Sequence, residues 1–182
     1  MKFNYHGNLE GTHAFLSPSK YSWINYDDEK MEAVYANWRA SLQGTELHEL
    51  AAKMIRLNVK LPKIKKTLNM YVNDAIGYRM SPEVCLFYSI NAFGTADSIS
   101  FRNNFLRIHD LKNGRTPASI KQLKIYAALF CLEYHVNPRD IEIELRLYQL
   151  DEVIVDTPDP EEILFIMEKI VKFDKRINEI KE

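Results

Sequence analysis

The hydrophobic pattern of the chain changes its period near residue 80, and this change constrains the fold more than any other feature. Before Pro82, apolar residues recur at the spacing of amphipathic helices. The helical segments are 27–43, 45–58 and 66–79, with a break at Gly44. After Pro82, three short segments rich in β-forming residues are separated by small or polar connectors. These segments are EVCLFYSI (83–90), FGTADSISF (93–101) and FLRIHDL (105–111). The pattern therefore predicts helices first and three consecutive strands second.

A helix, a strand and a last helix follow these strands. The apolar run 117–135 predicts a helix that begins at Pro117, because proline is favoured in the first helical turn. Residues 141–149 alternate between apolar and polar, which predicts a half-exposed strand. From Asp159 or Pro160, helical spacing resumes. This order predicts an α/β fold, in which a mixed central sheet of about four strands is flanked by helices.

The composition excludes several classes of protein. Hydrophobic residues make up 46% and charged residues 27% of the 182 residues, and the net charge is −1, so no overall positive field attracts nucleic acid. Any anionic ligand must then be held by a local patch or a metal ion. Cys85 and Cys131 are expected to be buried free thiols, too few for a four-cysteine zinc or iron–sulfur site. No stretch approaches the roughly 18 apolar residues that span a bilayer, so we expect a cytoplasmic protein without a membrane partner.

The stretch LRIHDLKNG (106–114) places two charges at the end of an apolar strand. Asp110 and Lys112 are two residues apart, and residues at that spacing in a strand point to the same face. A buried charge is costly unless it is paired or bound to a ligand. The pair is therefore a simple salt bridge, which is the commoner case, or part of a reaction site.

Other polar residues also stand where an ordinary core would not need them. His48 lies in a helical segment, and Asp97 lies within a strand. Gln122 and Tyr126 are spaced i, i+4 on the apolar helix. Each of these has an ordinary explanation on its own: a core histidine, an edge or turn aspartate, an amphipathic helix face. Their combination is what indicates a site.

Together, a histidine, two carboxylates and a lysine suit the divalent-metal-assisted hydrolysis of a phosphodiester. Mg²⁺ and Mn²⁺ prefer hard oxygen ligands, which Asp97 and Asp110 would supply, and Mn²⁺ accepts an imidazole. The carbonyl of Leu111 could add another oxygen. A bound cation offsets the charge that develops on the phosphate. Lys112 would orient or activate the attacking water, or stabilise the negative transition state.

Four motifs in this order resemble those of RecB-type nucleases, a branch of the PD-(D/E)XK superfamily. The motifs are GTELH (Gly44 and His48), GTAD (Gly94 and Asp97), DLKNG (Asp110, Lys112 and Gly114) and QLKIY (Gln122 and Tyr126). The resemblance covers about residues 17–150. In its small size the chain looks like the stand-alone nucleases of this type found in phages and prophages, which would act in the bacterial host cell.

The resemblance implies a restriction-endonuclease-like core and a metal-dependent deoxyribonuclease. It implies that four groups bind Mg²⁺ or Mn²⁺: His48, Asp97, Asp110 and the carbonyl of Leu111. It implies that Lys112 is catalytic with the two aspartates, and that Gln122 and Tyr126 contact the DNA backbone or brace the site. Gly44 would let the helix bend towards the metal. We therefore expect one nuclease domain over 1–182, with N-terminal helices over about 17–80, a catalytic core over about 83–150 and a C-terminal helix over about 159–181.

Basic residues near these motifs are candidates for contacts with DNA phosphates. The basic residues that follow Lys112 are Arg115, Lys121 and Lys124. Lys121 and Lys124 lie near the start of a predicted helix, where the helix dipole also favours phosphate binding. A second group in the connector RLNVKLPKIKK (56–66) includes Lys63, Lys65 and Lys66. A solvated connector is the more frequent role of such a run, whereas a phosphate-binding patch would give salt-sensitive affinity. Trp23, Tyr71 and Tyr78 are candidates for base stacking, although core packing is commoner for each.

Three hypotheses follow from the sequence. The first is a DNA nuclease, either an exonuclease, which we favour, or a structure-sensitive endonuclease, with a homo-oligomer or a replication or recombination protein as a possible partner. The second is a catalytically silent nucleic-acid-binding or regulatory protein on the same fold. The third is a structural protein in which the polar residues form only a buried network of salt bridges.

Overall fold

The computed structural model describes residues 14–181, which fall into two compact units that meet in sequence at Gln43 and Gly44. In the first unit, a short 3₁₀ segment, Pro18–Asn25, precedes a long helix. Trp23 Nε1 donates a hydrogen bond of 2.9 Å to the carbonyl of Ser17. Three aromatic rings of this unit pack against one another, with centroids 5.0 to 5.6 Å apart: Phe15, Tyr35 and Trp38.

Two helices are followed by three strands, a helix, two strands and a last helix. The helices are α1 (Asp28–Arg56), α2 (Thr67–Gly77), α3 (Lys121–Tyr134) and α4 (Pro160–Lys181). The strands are β1 (Ser81–Ser89), β2 (Ala92–Arg102), β3 (Phe105–Leu111), β4 (Glu142–Gln149) and β5 (Glu152–Asp156). The predicted break at Gly44 is wrong, because α1 passes through that residue. A glycine inside a helix costs only about 1 kcal/mol relative to alanine, which a long helix tolerates.

The five strands form one mixed sheet in the order β1-β2-β3-β4-β5. Neighbouring strands are antiparallel except β3 and β4, which are parallel and joined through α3. The predicted α/β fold with a mixed, helix-flanked sheet is confirmed. The prediction of about four strands missed β5. That strand follows a tight turn in which Leu150 and Asp151 both have positive φ, and leucine is not a residue that signals such a turn.

Helices pack on both faces of the sheet. One core joins the sheet to α3 and α4, and it includes Ile108 and Leu123. The other core joins the sheet to α2 and the end of α1, and it includes Leu111 and Tyr148. Ile108 and Leu111 are three residues apart in β3, so their side chains point to opposite faces, as alternation in a strand requires. The end of β3 is thus covered on both sides.

Several sequence predictions differ from the structure in detail. Helix α3 begins at Lys121 and not at Pro117. Tyr148 lies on the polar side of the alternating segment 141–149, which predicted a half-exposed strand, but it is fully buried because α2 covers that face of β4. Cys131 is buried as expected, whereas Cys85 is exposed. Tyr71 is a core residue, 2% exposed, so it does not offer a stacking surface. Within the described residues, no helix is both long and apolar enough to cross a bilayer.

Candidate active site

The candidate site lies where β2 and β3 stop pairing. At this end, the last pair of their antiparallel register is Ser98 with His109, and the next residues are Asp97 and Asp110. Beyond this pair, Asp97 Oδ2 accepts a hydrogen bond of 2.8 Å from the amide of Leu111. A carboxylate thus occupies a position that a backbone carbonyl would take in a regular ladder. Both predicted acidic residues stand at the same end of the sheet.

His48 reaches this end of the sheet from α1. Its Nδ1 lies 3.3 Å from Asp97 Oδ1, and its Nε2 lies 2.6 Å from the carbonyl oxygen of Leu111. A carbonyl only accepts, so Nε2 carries the proton in this contact. The hydrogen bond with Asp97 is the main cause that raises the pKa of His48, against the opposing effect of burial. The imidazolium form can donate to both oxygens, so its positive charge occupies the space between them.

Asp110 is buried and carries the most perturbed carboxyl of the site. Burial and the negative charge of Asp97 raise its pKa to about 6, against the opposing effect of Lys112. The Lys112 ammonium donates a hydrogen bond of 3.2 Å to Asp110 Oδ1 and lies 3.0 Å from Oδ2. Oδ2 is buried and in ion-pair contact with this ammonium, but it receives no hydrogen bond, because the hydrogen bond of Lys112 goes to Oδ1. A buried carboxylate oxygen without a donor is costly and is the kind of atom that binds a cation.

The fourth motif contacts Lys112 from α3. Lys112 Nζ donates a hydrogen bond of 3.1 Å to Gln122 Oε1, and Gln122 Nε2 donates one of 3.3 Å to Tyr126 Oη. The ammonium is therefore fixed between a carboxylate and an amide oxygen. The structure thus brings Gln122 and Tyr126 to the predicted catalytic lysine, in the bracing position that was one of their two expected roles.

Two motif glycines allow close approaches to these side chains. A Cβ on Gly94 would lie 3.0 Å from Tyr126 Cε1, a contact so tight that the ring would have to shift. A Cβ on Gly44 would lie 3.2 Å from Asn113 Oδ1. Gly44 thus lies close to the loop after β3. Both glycines thus let a neighbouring element pack against the backbone.

Gln149 holds the loop that links Lys112 to α3, and the only sign of this in the sequence is that a polar residue ends an alternating strand. Its side chain is 7% exposed. Its Nε2 donates hydrogen bonds to the carbonyls of Gly114 at 2.7 Å and Thr116 at 2.8 Å. Its Oε1 accepts one of 2.9 Å from the amide of Ala118. This one amide therefore satisfies three backbone groups of residues 114–118 and fixes the path of the loop.

A cavity of about 220 Å³ opens beside His48 and Asp97. Its wall also includes Glu83 of β1, which the sequence analysis did not single out. The pairs on either side, Pro82 with Ser98 and Val84 with Ala96, place Glu83 opposite Asp97 in the β1–β2 register. Glu83 pairs with Arg56 at the end of α1. A second carboxylate thus faces the cavity, partly neutralised by an arginine.

The residues of the site supply donor atoms of the type that a hard divalent cation prefers. Their arrangement fits such an ion only in part. Within residues 14–181, no three or more His, Cys, Asp and Glu side chains are grouped so that they could hold a metal ion. His48 contacts both Asp97 and the Leu111 carbonyl, whereas Asp110 is paired with Lys112. An imidazole with carboxylate and carbonyl oxygens is a donor set that Mn²⁺ accepts, and Mg²⁺ favours the oxygens.

The predicted DNA-binding lysines and arginine lie in three places. Lys63 borders a cleft of about 540 Å³ with Lys60 and Lys65. Lys65 and Lys66 pair with Glu152 and Asp151 at 2.5 and 2.8 Å, and Lys124 pairs with Glu162 at 2.5 Å and Asp156 at 3.2 Å. Arg115 and Lys121 are exposed. The charges of Lys65, Lys66 and Lys124 are thus offset locally by carboxylates, which weakens their attraction for phosphate.

Comparison of the chain with protein-family models, with curated proteins and with solved structures finds no match in any of the three.

Proposed function

We propose that this protein is a divalent-metal-dependent DNA nuclease with a restriction-endonuclease-like core, related to the RecB-type nucleases that its motifs resemble. The observation that carries the proposal is the meeting of four motif elements at one end of the sheet. His48 contacts Asp97 and the Leu111 carbonyl, and Lys112 bridges Asp110 and Gln122. A structural salt bridge between Asp110 and Lys112 alone would not require the imidazole and the second carboxylate.

Each group has a role in this proposal. Asp97 and the Leu111 carbonyl would hold Mg²⁺ or Mn²⁺ with His48, and Asp110 would join them through its Oδ2. A bound divalent cation supplies positive charge that offsets the charge developing on the phosphate. Asp110 is ionised above a pH of about 6, so at neutral pH its carboxylate attracts a cation.

Lys112 would act on the phosphate or on the attacking water. Its ammonium is held by Asp110 and Gln122, which fixes the direction of its remaining hydrogen. A pre-oriented donor stabilises the negative transition state without reorganising during the reaction. Gln122 and Tyr126 position this ammonium and would contact the DNA backbone beside it.

Digestion of end-blocked, nicked, linear and circular DNA with Mg²⁺ or Mn²⁺ tests the proposal. We expect cleavage of linear DNA with free ends first, since we favour an exonuclease. Asp110→Ala and Lys112→Ala should each lower the rate at least about 100-fold, the usual effect of losing a catalytic group. Glu168→Gln and Lys169→Ala on α4 are the matched controls and should leave the rate unchanged. Full cleavage by both site variants would overturn the assignment.

A catalytically silent nucleic-acid-binding protein is the second candidate. It is favoured by the lack of a complete group of three metal-binding side chains among the residues described. In that case the protein binds DNA, while neither Mg²⁺ nor Mn²⁺ supports cleavage of any of the four substrates. Binding without turnover at every metal concentration would select this candidate over the nuclease.

A further inference from the structure

We propose that the outward face of the β1–β2 hairpin is a stacking surface for the unpaired bases of single-stranded DNA, with Phe87 and Phe93 as its two rings. This inference names the substrate of the proposed nuclease and rests on that proposed function. Single-stranded nucleic acid is bound by aromatic side chains on which successive bases stack. Phe87 and Phe93 are register partners, with ring centroids 6.2 Å apart and planes 33° from parallel.

The two rings share a face of the sheet with the candidate active site. Alternation in a strand places Phe93, Thr95 and Asp97 of β2 on one face. Thr95 and Asp97 both line the cavity beside His48. On β1, Phe87 and Glu83 occupy the same face, since they lie opposite Phe93 and Asp97 in the register. The strand rise of about 3.3 Å per residue puts Phe93 about 13 Å from Asp97, which is the length of about four stacked nucleotides at 3.4 Å.

This face is open along the whole path from the cavity to the rings. Phe87 is 47% exposed and Phe93 is 56% exposed. Between them and the cavity stand Cys85 and Thr95, which are also exposed. The opposite face of the same strands is packed against the core through Leu86. The helices thus cover one face of the hairpin and leave the aromatic face accessible.

The hairpin is held rigidly, which favours binding. The amide of Phe87 donates a hydrogen bond of 2.8 Å to Glu133 of α3. At the turn, Asp174 of α4 accepts hydrogen bonds from Ser89 at 2.5 Å and Asn91 at 2.9 Å. A surface that is already ordered loses little conformational entropy when a ligand binds. The two rings are therefore presented in a fixed position and not on a mobile loop.

The position of the rings favours a nucleic-acid strand over a protein partner. One end of the row is acidic, with Asp97 and Glu83, and needs a cation before a phosphate can approach. The other end is aromatic and uncharged. A strand with phosphates at the metal end and bases over the rings matches both ends. The exposed Phe165 and Phe173 of α4 line a different groove, beside α3, and serve as an internal comparison.

The test is the affinity for a single-stranded oligonucleotide that contains 2-aminopurine, measured by its fluorescence with Mg²⁺ present to neutralise the acidic end. All proteins that are compared, including the one with both wild-type phenylalanines, carry Lys112→Ala so that cleavage is slow. The double variant Phe87→Leu/Phe93→Leu keeps an apolar surface and loses both rings, and its Kd should rise about 10- to 100-fold. The double variant Phe87→Tyr/Phe93→Tyr keeps the rings and should bind like the wild type. Phe165→Leu/Phe173→Leu is the matched control and should also bind like the wild type.

Three results would overturn the inference: an unchanged Kd in the leucine variant of the hairpin, an equal loss in the α4 control, or equal wild-type affinity for an oligonucleotide without bases. Sedimentation that shows a wild-type dimer which the leucine variant of the hairpin abolishes would assign the face to a second copy of the chain instead. The cleavage assay separates this inference from the proposed function. If the protein stacks bases but never cleaves DNA, the result contradicts the proposed nuclease function and supports the stacking surface. If the protein cleaves DNA and the leucine variant of the hairpin binds with unchanged affinity, the result contradicts the stacking surface alone.

Discussion

Asp97 Oδ2 accepts a hydrogen bond of 2.8 Å from the amide of Leu111, so a motif side chain on β2 binds the backbone of the next motif on β3. The other oxygen of the same carboxylate contacts His48. Asp97 therefore has two functions that can be separated. One oxygen maintains the geometry of the strand ends, and the other offers negative charge to a cation or to the imidazolium.

The first prediction separates these functions of Asp97 by substitution. Asn at position 97 can still accept from the Leu111 amide, so Asp97→Asn should lower the free energy of unfolding by less than about 1 kcal/mol. Asp97→Ala leaves that amide without its acceptor and should cost about 1–3 kcal/mol. Urea unfolding in EDTA measures both values. Equal stability of the two variants would show that the hydrogen bond does not matter to the fold.

The same variants test cation binding. At a Mn²⁺ concentration about 100 times Kd, the wild type should gain about 2.7 kcal/mol, because the ion binds the folded state alone. Both Asp97 variants should lose most of this gain, since both lack the charge. Glu168→Gln on α4 should retain it. A gain that is equal in all four proteins would place the bound ion elsewhere.

The second prediction concerns the dependence of stability on pH. The pKa of Asp110 is raised from 3.8 to about 6 in the folded protein, so the folded state holds this proton more tightly than the unfolded chain does. The contribution is full below pH 3.8 and is lost as the pH rises through 6, which amounts to about 3 kcal/mol. In EDTA at pH 8, Asp110→Asn should therefore be more stable than the wild type by about 1–3 kcal/mol, the lower value allowing for its lost contact with Lys112.

Unfolding curves between pH 4 and 8 test this expectation. The advantage of Asp110→Asn should shrink as the pH falls towards 4, where the wild-type carboxyl takes up its proton. Mn²⁺ at pH 8 should also remove the advantage, because the cation stabilises the carboxylate of the wild type alone. A variant that is less stable than the wild type throughout this range would show that Asp110 is not strained by burial.

Patterns with a short period were predicted well from the sequence. The alternation in 141–149 and the β-rich segments that include FLRIHDL gave β4 and β3 to within one residue. The local patterns also gave the correct type of element for His48, which lies in a helix, and for Asp97, which lies in a strand. These features depend on neighbours in sequence, which is why a single chain reveals them.

Features that depend on tertiary contacts were missed. Gly44 lies within a continuous helix, where its missing Cβ leaves room for Asn113 of the loop after β3, and no local pattern encodes that contact. The exposed side of β1, with Phe87, could not be told from the buried side, because the segment 83–90 is apolar at nearly every position. The exposed side of β1 is determined by which face of the sheet the helices cover. For the same reason, Gln149 was indistinguishable from any polar residue that ends a strand.

The third prediction concerns the approach of Tyr126 to Gly94. A Cβ at position 94 would lie 3.0 Å from the Tyr126 ring, so Gly94→Ala must displace the ring and with it the contact to Gln122. We expect a loss of about 1–3 kcal/mol in stability, the usual cost of overpacking, and slower cleavage. Gly77→Ala is the control, since nothing lies within 4 Å of its added Cβ, and it should gain up to about 1 kcal/mol from higher helix propensity.

A cleavage rate that is unchanged in Gly94→Ala would show that Tyr126 does not position the lysine. The double variant Gly94→Ala/Tyr126→Phe does not relieve the clash, because the contact is with a ring carbon. Gly94→Ala/Tyr126→Leu shortens the side chain and should recover stability without recovering activity. This pair of outcomes distinguishes a steric effect from a catalytic one.

The last prediction concerns Gln149, which acts on the site through the loop after Lys112. Gln149→Ala removes one acceptor and two donated hydrogen bonds from part-buried backbone groups, so the free energy of unfolding should fall by about 1–3 kcal/mol. Gln149→Glu keeps the acceptor for Ala118 but turns a carboxylate towards the carbonyls of Gly114 and Thr116. At neutral pH it should therefore be no more stable than the alanine variant, despite its similar shape.

Hydrogen exchange at the Ala118 amide separates the two variants. Exchange should be fast in Gln149→Ala and slower in Gln149→Glu, because only the second retains the oxygen that binds this amide. Both variants should cleave DNA at least about tenfold more slowly, since the carbonyls that fix the loop near Lys112 lose their donor. Gln43→Ala, an exposed glutamine outside the loop, is the control and should change neither quantity. Normal cleavage by Gln149→Ala, together with fast exchange at Ala118, would show that the loop can move without displacing Lys112. Gln149 would then have a structural role alone.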